Sequence, residues 1–97
     1  MLILKTQTDS TITLAISGKL DSVTQADLAR ELETVFAPGV TGLVFDLTAL
    51  EYISSAGLRV FLSAQKKAKS LGTTMKIVGA NDAVKEIFQI IKFDFDV

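Results

Sequence analysis

Residues 50 to 62 read LEYISSAGLRVFL. Two adjacent serines, an alanine and a glycine stand there between an apolar run and an amphipathic stripe. Upstream, Leu43-Val44-Phe45-Asp46-Leu47 is an almost continuous apolar segment of the kind that forms a strand buried on both faces. Downstream, Leu58, Phe61, Leu62, Ala68 and Leu71 recur at near-helical spacing, with Arg59, Ser63, Lys66 and Lys67 on the other side. The pattern predicts a helix that begins at Ser55 or Ala56 and is stopped by Gly72. The first turn of a helix leaves backbone N–H groups without partners, and a serine oxygen that accepts from one of them stabilises it by about 1 kcal/mol. Ser55 reads as that cap, reaching Gly57 or Leu58, while small Ala56 and Gly57 leave the backbone approachable. A phosphate on Ser55 would add roughly 1.5 to 2 negative charges at the positive end of the helix dipole, where the fold can accommodate it.

Working outward, Ile12, Leu14 and Ile16 alternate with Thr11, Thr13, Ala15 and Ser17, the period of a half-buried strand. Leu2 to Thr8 is its hairpin partner across Asp9-Ser10, and Gly18 is expected to break the second strand. Ser22 followed by Gln25 resembles a capping box for a first helix carrying Leu28, Leu32, Val35 and Phe36, which ends before Pro38-Gly39. Beyond the second helix, Met75 to Val78 forms a short strand. Asn81 or Asp82 then caps a third helix built on Val84, Ile87, Phe88 and Ile91, and Phe93 to Val97 reads as a final strand. After the opening hairpin, strands alternate with helices. The expected fold is α/β: a mostly parallel sheet with an antiparallel N-terminal hairpin strand at its edge and three or more helices packed on it, in one domain spanning 1–97.

In such a sheet, ligands and partners dock beyond the carboxyl ends of the strands. Ser54-Ser55 follows one such end and Gly18-Lys19-Leu20-Asp21 another, so Asp21 is expected near Ser55, with Asp46 pointing into the same neighbourhood. Asp21 reads first as a turn or cap residue of the first helix, and Asp46 as a structural hydrogen-bonder at a strand end. Lys66, Lys67 and Lys69 read as a solvated helix face that complements the dipole. Phe88 and Ile91 read as core.

Composition narrows the chemistry. The 97 residues are 48% hydrophobic, enough for a packed core without disulfides or metal. Ten basic and eleven acidic residues leave a net charge of −1, which offers no general attraction to nucleic acid or acidic lipid. The chain has no cysteine and no histidine. Thiolate zinc sites, the Ser-His-Asp triad and the usual imidazole base are thereby excluded, and no cofactor or metal site is expected. Lys5 interrupts the first apolar residues before a signal-peptide core forms, no run is long enough to insert in a membrane, and a soluble, cytoplasmic chain is expected.

Two rival classes fail on motif. A serine on a strand-to-helix turn suggests a hydrolase elbow, but G-x-S-x-G is missing and Ser55 has no histidine to activate it. A glycine near a helix start suggests phosphate binding by a nucleotide module, but neither G-x-x-x-x-G-K-[ST] nor G-x-G-x-x-G is present.

GKLD at 18–21, LVFDL at 43–47 and ISSAGLRVFL at 53–62 together resemble the STAS domain of bacterial anti-sigma-factor antagonists over essentially the whole chain. The resemblance implies a non-enzymatic partner switch. The unphosphorylated antagonist binds an anti-sigma factor that is also a serine kinase and so frees a sigma factor; phosphorylation by that kinase breaks the complex, and a serine phosphatase resets it. By position, it implies Ser55 as phosphoacceptor, with Ser54 as the alternative, and Asp21, Ser54, Ser55, Ala56, Gly57, Leu58 and Arg59 as the partner surface. Ser54 stands where several members carry aspartate. A monomer or weak dimer without direct nucleic-acid contact is expected. The alternative within the same fold is an unphosphorylated scaffold or subunit of a transporter, lipid-trafficking or signalling complex.

Overall fold

The computed structural model describes residues 1–90; the expected strand at Phe93 to Val97 and the helical position of Ile91 lie outside the described residues. The elements run β1 (Leu2–Thr8), β2 (Thr11–Leu20), α1 (Gln25–Val35), β3 (Gly42–Asp46), β4 (Leu50–Ile53), α2 (Ser55–Leu71), β5 (Thr74–Val78) and α3 (Asp82–Ile90). β1 pairs antiparallel with β2, and every other pairing is parallel, in the order β1-β2-β3-β5 with β4 beside β2. The mostly parallel sheet with an antiparallel edge is therefore present.

The core follows from strand periodicity. Register places Ile12 beside Leu43 and Leu43 beside Met75, then Leu14 beside Phe45 and Phe45 beside Ile77. All six are buried, while of the alternating residues Thr13 and Val44 are half-buried and Lys76 is exposed. β3 is thus buried on one face, not on both as its apolar run suggested, because the helices gather over a single face. Phe61 of α2 packs edge-on against Phe45 of the sheet at 4.8 Å and against Phe88 of α3 at 5.3 Å. Each of these three rings is fully buried and contributes roughly 1.5–3 kcal/mol from area alone, so they join sheet, α2 and α3 into one unit.

Gly18 does not end β2. It adopts φ 89°, which glycine tolerates, and the register shifts between Gly18 and Lys19. At this bulge the strand changes neighbour: up to Ala15 it pairs with β3, and from Gly18 to Leu20 it pairs with β4. β4 is the element the sequence pattern did not reveal. Its burial runs Leu50 in, Glu51 and Tyr52 out, Ile53 in, which is not alternation. Asn81 ties it to α3, its amide donating to the Leu50 carbonyl at 3.2 Å while its side-chain oxygen caps α3 by accepting from the Val84 N–H at 2.9 Å.

Candidate functional site

β2 and β4 end together. Leu20 is in register with Ile53, and the Ser54 N–H donates to the Leu20 carbonyl at 2.8 Å. Asp21 and Ser54 therefore leave the sheet as neighbours, which brings the Asp21 loop to the serine junction as expected from topology.

At that junction the two serines divide their roles. Ser54 is extended, at φ −94° and ψ 173°, and its Oγ accepts from the Gly57 N–H at 3.2 Å while its carbonyl accepts from Leu58 at 2.9 Å. The cap is therefore Ser54, not Ser55. Pairing of β4 with β2 runs through Ile53 and the Ser54 N–H still bonds the Leu20 carbonyl, so Ser54 is the last extended residue before the helix and takes the cap position. Ser55 becomes the first helical residue, exposed, and its hydroxyl has no hydrogen-bond partner among the described residues. The N–H groups of the first turn point outward beside it.

Gly57 differs from expectation. It is buried, and a Cβ there would lie 2.7 Å from Leu20 Cγ and 3.1 Å from Ile53 Cγ1. Its smallness lets α2 seat against the ends of β2 and β4 and does not open backbone to an outside partner. Leu58 is half-buried against the core, Ala56 is half-buried, and Arg59 is exposed.

Asp21 organises the neighbouring loop. One carboxylate oxygen accepts from the Val23 N–H at 2.9 Å and the Thr24 N–H at 3.0 Å, and the Thr24 hydroxyl donates to the Lys19 carbonyl at 2.9 Å. The amides of Thr24 and Val23 hold the Asp21 carboxyl below its usual 3.8. The Ser22–Gln25 capping box is not formed: the N-cap is Thr24, and Asp21 satisfies the loop's amides from three residues earlier. Asp46 is occupied by Thr48, accepting from its hydroxyl at 2.6 Å and its N–H at 3.0 Å, which lowers its pKa and binds it to the turn between β3 and β4.

Two exposed apolar residues that motif reading passed over flank the junction. Val23, 82% exposed, rises from the Asp21 loop, and Tyr52, 50% exposed, lies on β4 opposite Lys19. A valine inside the polar run Asp-Ser-Val-Thr was the available signal for the first; Tyr52 became visible only with β4. The surface around Ser55 thus combines a free hydroxyl, one fixed carboxylate and two uncovered apolar side chains. Among the described residues, no group of carboxylates could hold a metal ion, and no helix is long and apolar enough to cross a membrane.

Residues 3–97 match the family model of the STAS domain. The chain belongs to the STAS domain family. This STAS chain is 32% identical over 85 residues to BtrV of Bordetella bronchiseptica, provisionally named an anti-sigma factor antagonist, covering 88% of this chain and 73% of BtrV. It is 37% identical over 54 residues to the anti-sigma-F factor antagonist RsfB of Mycobacterium tuberculosis, a match spanning 56% of this chain and 44% of that protein. Its fold superposes on the crystal structure of an anti-sigma factor antagonist from Mycobacterium paratuberculosis with TM-score 0.86 at 26% identity, over 96% of this chain and 79% of that one. SpoIIAA of Bacillus shares the fold in both its unphosphorylated and phosphorylated forms, with TM-scores 0.84 and 0.81 at 16% and 15% identity, over 99% of this chain and 88% and 91% of those chains.

Proposed function

We propose that this STAS domain is an anti-sigma factor antagonist whose unphosphorylated form binds an anti-sigma factor through the Ser54–Ser55 surface, and whose release follows phosphorylation of Ser55. The observation that carries this reading is the division between the serines. Ser54 Oγ is committed to Gly57, whereas the Ser55 hydroxyl stands exposed on the first residue of α2. The second arrangement suits a kinase better, because the Ser55 oxygen is exposed and has both lone pairs uncommitted, whereas Ser54 Oγ is half-buried and held by its cap bond. Kinship with BtrV and with the mycobacterial antagonist supports the partner class.

The switch follows from charge. Unmodified, the surface offers hydroxyls, Val23 and Tyr52 for burial, with Asp21 as the fixed charge. A phosphate adds roughly 1.5 to 2 negative charges close to that carboxylate. The modified surface is costly to desolvate and repels acidic partner groups. The positive end of α2 receives the phosphate without unfolding the helix. The role is regulatory rather than catalytic, with a serine kinase and a serine phosphatase as the opposing enzymes.

Incubation of the protein with ATP and each anti-sigma kinase of its host, followed by phosphopeptide mapping, tests this. Phosphate on Ser55 from one kinase is the expected result. Phosphate on Ser54 would overturn the assignment of roles, and no phosphate from any kinase would favour the unphosphorylated scaffold.

A further inference from the structure

We propose that the groove between α1 and α2 is a second docking surface, built for an acidic amphipathic helix of a partner protein. The two helices run side by side over the sheet, and the groove between them has a volume of about 480 Å³. Its floor is apolar: Leu32, Phe36, Val60 and Ala64 line it. Leu32 and Val60 each keep 7% exposure, more than any other core residue larger than alanine, so the hydrophobic core reaches solvent here.

The rims identify the occupant. Arg59, Ser63 and Lys67 line the groove along α2, four residues apart, facing Gln25, Ala29 and Glu33 at the same spacing along α1. Arg59 and Lys67 are exposed, and neither has an ion-pair or hydrogen-bond partner among the described residues, whereas Arg30 on α1 pairs with Asp27. Eight residues of helix separate the two cations by about 12 Å along the axis. A ligand with one anionic head reaches one of them and leaves the other unused. A helix lying in the groove presents carboxylates two turns apart to both, while its apolar residues at i, i+4 and i+7 cover Leu32 and Val60. Glu33 on the α1 rim leaves the lining with one net positive charge, carried on the α2 side, so the fit is to a helix whose carboxylates face α2 and whose opposite edge is uncharged. The groove continues along α2 from the Ser55 end, Arg59 lying one turn on, but its test uses no kinase, so it stands or falls separately from the phosphorylation reading.

The isotope-labelled full chain is titrated, with amide resonances followed by NMR, against a synthetic helical peptide of about four turns carrying a leucine stripe flanked by glutamates. A twin peptide carries lysines in place of the glutamates, and dodecanoate serves as the single-headed anion. The acidic peptide is expected to shift Ala29, Ser63, Ala64 and Lys67 saturably, on the order of tenfold more tightly than its lysine twin. The double variant Arg59→Glu, Lys67→Glu is expected to reverse that preference, with an unchanged thermal midpoint as its check on folding. Ala29→Trp, an exposed position, fills the groove and should abolish the shifts without touching either charge. No saturable shift at millimolar peptide, shifts indifferent to charge reversal, or equal occupancy by dodecanoate would each overturn the proposal.

Discussion

To turn from strand to helix, the chain takes four residues before α1, Asp21 to Thr24, and a single residue, Ser54, before α2. At the first turn a carboxylate holds two amides and supplies a permanent negative charge. At the second a neutral hydroxyl makes the cap bond, and the next residue carries an uncommitted hydroxyl in water. The two starts lie together because Leu20 and Ile53 share a register. The difference teaches how a domain can hold a switch without risking its fold. On the proposed function, charge is built into the turn that must stay closed and left to be added at the turn that carries Ser55.

That contrast can be broken most strongly at Ser55. Phosphorylation, or Ser55→Asp as its mimic, should weaken binding to the anti-sigma factor about a hundredfold, roughly 2.7 kcal/mol, while Ser55→Ala binds and resists release by ATP. Calorimetric titration of the three forms measures this, and equal affinities would remove the switch from Ser55. Next in size is the seat of α2. Gly57→Ala inserts a methyl 2.7 Å from Leu20 Cγ, and overpacking there should destabilise the fold by about 1–3 kcal/mol in urea unfolding. An unchanged midpoint would mean that α2 shifts freely on the strand ends.

Smaller still is the exchange of cap roles. Ser54→Ala leaves the Gly57 N–H without its acceptor and should lower stability by about 1 kcal/mol, whereas Ser55→Ala should fall within about 0.5 kcal/mol of the parent. Reversal of that order in paired thermal melts would return the cap to Ser55. The smallest effect concerns pH. Asp21 has its folded pKa below the usual 3.8, so its contribution is fully present above that value and is lost as pH falls through the folded pKa. Asp21→Asn should therefore lower neutral stability slightly and flatten the acid limb below about pH 4, parent and variant converging in acid; an unaltered acid limb would mean the loop's amides do not need the charge.

Periodic segments were legible from the chain. The alternation of Ile12, Leu14 and Ile16 and the helical recurrence of Leu28, Leu32 and Val35 each identify a buried face, because burial selects the same residues that local geometry aligns. The start of α2 was legible to within one residue. Ser54 and Ser55 are chemically identical, and which one caps α2 depends on where β4 stops pairing with β2. β4 itself escaped notice, since a four-residue strand held by one neighbour and an asparagine from α3 leaves no period to read. Gly18 looked like a terminator because a positive φ is equally compatible with a turn and with a bulge, and only a second partner strand distinguishes them. Ser22 resembled a cap because the spacing to Gln25 is right, while the competing carboxylate of Asp21 reaches the same amides from further back.

Local pattern alone determined the α/β class, the hairpin edge, the three described helices, the exclusion of histidine and cysteine chemistry, and the hydroxyl-bearing helix start, because each rests on residue type and spacing within a few turns. Tertiary structure decided the rest: that Gly57 serves the core, that Ser54 closes the helix and Ser55 remains open, and that a groove rimmed by Arg59 and Lys67 lies between α1 and α2. Those features depend on contacts between segments tens of residues apart, and no local period encodes the register in which such segments meet.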